Sequence, residues 1–85
     1  MDGLFEGRIV HYVMPNGDHR PAIVVRVWRG PCGEESGCSN LQVFTDGRND
    51  GPGFESGVHW ATSVAYSDEP KPGTWHWPEQ RQANP

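Results

Sequence analysis

GRIVHYVMPNGDHRPAIVVRVW, residues 7–28, is the stretch that decides the fold. Two apolar, β-branched runs, GRIVHYVM (7–14) and PAIVVRVW (21–28), flank PNGDHR. β-Branched side chains favour extended backbone, and the Asn16-Gly17 pair favours a tight turn. The stretch therefore predicts an antiparallel hairpin. Pro21 suits the opening of a strand, not its middle. Alternation sorts the second run into Ile23, Val25 and Val27 on one face and Ala22, Val24, Arg26 and Trp28 on the other. Arg26 marks the second face as the wetter one. The first run is ambiguous, since either choice turns a polar-tipped ring inward, His11 or Tyr12.

Working outward, three more strand-like runs follow: LQVFTD (41–46), VHWATSVAY (58–66) and TWHW (74–77). In the third run Leu41 and Val43 oppose Gln42 and Phe44. Loops rich in Gly, Pro and Ser separate the runs, and no segment keeps a helical period over three turns. The pattern predicts an all-β fold, a small five-stranded SH3-like barrel with long Gly/Pro-rich loops. An OB-like barrel is the alternative, weakened by the lack of a helix between strands three and four. Residues 1–6 are expected as a flexible N-terminus, 7–78 as the single β-barrel domain and 79–85 as a disordered tail.

The totals narrow the function. A chain of 85 residues makes one domain and buries a small core. Four Trp, two Tyr and three Phe give that core large pieces although the hydrophobic fraction is only 34%. A net charge of −4 disfavours duplex nucleic acid as a partner. Six of the seven basic residues are Arg, the side chain suited to bidentate phosphate recognition. No apolar run is long enough to span a membrane, and the acidic start lacks a signal-peptide core, so a cytosolic location is expected. Cys32 and Cys38 are expected as thiols rather than a disulfide. Their spacing, with no neighbouring His, is a poor zinc signature, so neither a metal nor another cofactor is expected.

No nucleophile elbow, triad motif or paired strand carboxylates support catalysis. The protein reads as a non-enzyme that binds. Aromatic and imidazole rings crowd the chain, and such rings stack on bases in small β barrels. The candidate ligand-binding residues are His11, Tyr12, Trp60, Trp75 and His76 for stacking and hydrogen bonding, Arg8 and Arg20 for phosphate, and Thr62 and Ser63 as hydroxyl donors. Asn49 and Asp50, in the glycine-rich loop 47–57, are placed to close over a ligand. For any one Trp, core or edge packing competes with these roles. Trp75 and Trp77 share a strand face, and if that face is outside it needs a partner.

GRIVHY, RPAIVV, LQVFTDGRNDG and TWHWPE together resemble a family of small, largely uncharacterised proteins of tailed phages and prophages. The resemblance covers nearly the whole chain except the tail and the cysteine loop. It implies the cytoplasm of an infected bacterium as the setting. It suggests a non-catalytic, homo-oligomeric sponge that sequesters a small cyclic nucleotide-type immune signal. A virion structural or assembly protein, or an inhibitor that binds a host protein, is the alternative in that setting.

Overall fold

The computed structural model describes residues 1–29 and 37–79. Cys32 and tail residues 80–85 lie outside the described residues, so the expectation for Cys32 falls there, while Cys38 is described and half-buried. Five strands form one antiparallel sheet: β1 (Ile9–Val13), β2 (His19–Val27), β3 (Ser39–Phe44), β4 (Val58–Val64) and β5 (Trp75–His76). Their spatial order is β4-β3-β2-β1-β5, a meander whose last strand returns to the first. β5 also meets the chain beyond β4 through one parallel bridge, Tyr66 to Trp75. The fold is thus all-β and barrel-like, but the sheet curls around its core without closing.

The first hairpin forms as its turn residues require. Val13 pairs with His19, and Pro15, Asn16 and Gly17 make the bend. Gly17 sits at φ +88°, a conformation open to glycine and strained for other residues. The Gly17 amide donates to the Met14 carbonyl at 2.8 Å and the Met14 amide to the Asp18 carbonyl at 2.8 Å.

The inner face carries Val10 and Tyr12 from β1, Ala22 and Val24 from β2, and Leu41 and Val43 from β3. Trp75 of β5, fully buried, fills the centre. Its indole N–H donates to the Gly37 carbonyl at 2.7 Å. A Cβ on Gly37 would stand 2.9 Å from the Trp75 ring and from Tyr66, so glycine is required there.

The face assignment of β2 is a correction. Ala22 and Val24 are buried, while Ile23 and Val25 are exposed. Val24 opposes Leu41 and Arg26 opposes Asn40, so β2 carries one extra residue between them. This bulge flips the alternation. Arg26 points outward although Val24 points inward, and a charge two residues away marked the wrong face as wet.

Loop 47–57 also differs from expectation. Gly47–Asp50 forms a 3₁₀ turn. Asp50 does not lie open above a ligand; it is buried. Its carboxylate accepts from Arg20 Nη2 at 2.6 Å and Nε at 2.8 Å, from the Asp46 amide at 2.7 Å and from Asn16 Nδ2 at 3.3 Å. Loop 47–57 is thereby fastened to the first hairpin. From the N-terminal segment, Leu4 packs on the core and the Glu6 carboxylate accepts from the Val27 amide at 3.1 Å.

Candidate metal centre

The register of β1, β2 and β5 brings three histidines to one edge of the outer face. His11 lies directly opposite His76 across β1 and β5. His19 is opposite Val13, one step along the same face from His11. Inner residues of β1 alternate with His11, so the ring is left outside the core but half-sheltered by its neighbours. The rings meet edge to face: His19 and His76 with centroids 4.7 Å apart, His11 and His76 at 5.8 Å.

The fourth member comes from just beyond β5. Trp77 packs on Trp75 at 5.1 Å between centroids. Pro78 follows, and Glu79 returns over His76. Its carboxylate faces all three rings: His11 Nδ1 at 2.5 Å, His19 Nδ1 at 2.6 Å, and His76 Nε2. A carboxylate only accepts, so each ring nitrogen facing it carries the proton in this arrangement. Burial opposes ionisation of Glu79, but its own backbone amide and the three imidazoles outweigh that and bring its pKa down to about 2. His76 is buried, and its far nitrogen, Nδ1, makes no hydrogen bond. The sheet and its packing orient that ring.

One ligand atom from each of His11, His19, His76 and Glu79 lies within 4.8 Å of the others. Donors held at about 2.0–2.1 Å from one tetrahedral ion stand roughly 3.3 Å apart, so small side-chain rotations would close the set. Three imidazoles and one carboxylate suit Zn²⁺ and related divalent transition ions, and are a poor set for Ca²⁺ or Mg²⁺, which prefer oxygen. Side-chain exposure falls from Glu79 (48%) through His19 (30%) and His11 (27%) to His76 (11%). The centre is open on the carboxylate side.

Of the sequence-derived candidates, only His11 and His76 come together. Two corrections follow from burial: Trp75 and Tyr12 are core residues at 0% and 8% exposure, so neither presents a face for stacking. Arg20 is also corrected, because its guanidinium is committed to Asp50 and Asp18. Arg8 lies over the Phe5 and Trp77 rings, 5.6 and 5.0 Å from their centroids. Trp60 is half exposed on the outer face of β4. Thr62 and Ser63 are exposed where an extra residue bulges β4, with Ser63 at φ +52°. Glu79, the first residue of the expected tail, contacts the three rings.

His19 and Glu79 are the members that sequence reasoning missed. The H-x₂-E spacing of His76 and Glu79, and two histidines flanking one hairpin turn, are the signals that could have found them. Comparison with protein-family models, curated proteins and solved structures returns no match.

Proposed function

We propose that this chain is a small β domain that binds one divalent transition-metal ion, Zn²⁺ foremost, through His11, His19, His76 and Glu79. The observation that carries the reading is the convergence of three imidazole nitrogens on one carboxylate at a solvent-facing sheet edge. Three side chains that share one donor chemistry, drawn from three strands, are costly to assemble for a surface hydrogen bond to one acid. Isothermal titration of the metal-free protein tests it. One Zn²⁺, Co²⁺ or Ni²⁺ per chain is expected, with no heat from Ca²⁺ or Mg²⁺. His11→Ala and His19→Ala should each weaken binding more than the roughly 10–100-fold that loss of an outer-shell partner costs. A wild-type protein that takes up no transition ion, or binds Ca²⁺ equally well, refutes the reading.

A separate observation favours a second reading. The outer face exposes Ile9 (57%), Trp60 (50%), Val25, Val58, Phe44 and Ile23. Ile9, Ile23, Gln42 and Trp60 form one cross-strand row. Soluble monomers rarely leave so continuous an apolar surface uncovered. This supports a non-catalytic binding protein that self-associates, the setting in which a cyclic nucleotide sponge or a ring-forming virion component would work. Native mass spectrometry, alone and with cyclic dinucleotides, is the test. A discrete oligomer that Trp60→Arg converts to monomer is expected; wild-type monomer that ignores every nucleotide defeats this reading.

A further inference from the structure

We propose that Glu79 is a displaceable ligand, and that the ion it caps accepts an organic carboxylate with an apolar body in its place. This rests on the metal reading above.

The four donors are not held alike. His11, His19 and His76 stand on paired strands, where ladder hydrogen bonds fix their backbone positions. Glu79 stands outside every strand, three residues past His76, and has the most exposed side chain of the four. Structural zinc sites are closed by four rigid ligands; working sites hold the ion with three and leave a position to water or substrate. Three neutral imidazoles leave a divalent ion with its full charge. The position that Glu79 fills is thus anionic by electrostatics and exchangeable by construction. An external carboxylate offers the same donor atoms as the side chain it replaces.

The surroundings specify the rest of the ligand. Pro21 lies opposite His11, and Ile9 opposite Ile23 one step further along the same face. All three are exposed. Residues two apart along a strand are roughly 6–7 Å from each other. The ion would lie between the His11 and His19 rows, so a carboxylate whose apolar body extends past His11 meets Pro21 first and then Ile9 and Ile23. That contact would cover apolar surface now open to water.

Cobalt makes the test visible, because its absorption bands report ligand exchange. Co²⁺ uptake by wild type is measured first; a protein that takes none overturns both readings. Cobalt-loaded wild type, Glu79→Ala and Glu79→Gln are then titrated with acetate, benzoate and inorganic phosphate. Both variants should retain one Co²⁺ per chain. They should bind benzoate at least about tenfold more tightly than wild type, since the tethered competitor is gone. Benzoate should exceed acetate by about tenfold, and Ile9→Ser should erase most of that preference. Loss of all cobalt from both variants would make Glu79 an integral ligand and overturn displacement. Cobalt spectra indifferent to every anion would overturn it too, by showing a closed site. Equal binding of acetate and benzoate, or tighter binding of phosphate than of either, would overturn the apolar-body assignment.

Discussion

Addition of Zn²⁺ to the metal-free protein should raise its melting temperature by about 15 °C or more. His11 and Glu79 are 68 residues apart, and His19 and Glu79 are 60 apart. An unfolded chain does not hold such distant donors around one ion, so the ion binds the folded state almost alone. Ligand that binds only the native state stabilises it by about 4 kcal/mol at a thousandfold excess over its dissociation constant. For a domain of this size each kcal/mol moves the midpoint by roughly 4–8 °C. The effect is large because a small sheet has a small margin: about 0.05–0.15 kcal/mol per residue is typical. β5 contributes only Trp75 and His76 to the sheet. An ion would add a cross-link from that short strand to β1 and β2. Differential scanning calorimetry with and without a chelator checks this, with Mg²⁺ as the control ion. His19→Ala should abolish the shift while leaving the metal-free midpoint nearly unchanged, since His19 is partly exposed and outside the core. An identical midpoint with and without Zn²⁺ would remove the metal centre from the account.

Acid tests the same carboxylate by another route. The pKa of Glu79 is depressed from 4.5 to about 2. A depressed carboxylate stabilises the fold above its unfolded value, and the contribution fades as pH falls through the folded one. In metal-free protein the contribution of Glu79 is therefore intact above about pH 4.5 and lost between there and about pH 2. Its half-exposed side chain keeps the effect modest.

What the sequence made legible, and what it hid, follows from how far each feature reaches along the chain. The first hairpin was legible because Pro15, Asn16 and Gly17 act on their own neighbours. The division of Leu41 and Val43 from Gln42 and Phe44 was legible because β3 alternates without interruption. β2 was not, because the extra residue at Val25 leaves no local mark, and Arg26 then signals polarity on the wrong side of the break. β1 stayed ambiguous because Ile9, His11 and Val13 are nearly as apolar as Val10, Tyr12 and Met14. The placement of Trp75 inside, together with its pairing opposite Tyr12, resolves that ambiguity. The candidate site was hidden for a stronger reason. It exists only through the β1–β5 register, a contact across most of the chain, and through Glu79, whose polar surroundings resemble a solvated tail. Four histidines among nine aromatic residues read as stacking surface until that register is known.

Asp50→Ala should lower the stability of the domain markedly. Removing Asp50 takes away the closer of two carboxylates from a part-buried guanidinium and leaves it only the 3.3 Å contact to exposed Asp18. That guanidinium belongs to Arg20 and meets Asp50 through two nitrogens. The Asp46 amide and the Asn16 side chain lose their acceptor at the same time. The damage spreads because Asp50 ties the 3₁₀ turn to the first hairpin, from which β3 separates it along the chain. The same hairpin carries His11 and His19, so the variant should also weaken Zn²⁺ binding without touching a ligand. Urea titration of wild type, Asp50→Ala, Arg20→Met and the double variant separates the terms. The double variant should lose less than the sum of the singles, because neither charge is left alone. The pH dependence has the sign of a depressed carboxylate. Hydrogen bonding from Arg20 holds Asp50 well below the usual carboxylate range against the opposing effect of burial, with Asp46 and Asn16 adding to it. Its stabilisation is thus complete above the ordinary carboxylate value near about 4 and lost as pH falls below it. Wild-type stability should therefore fall steeply below about pH 4, and Asp50→Asn, already weakened at neutral pH, should fall less over the same interval. A variant as stable as wild type at neutral pH would mean that the loop is held by its own turn and not by this pair.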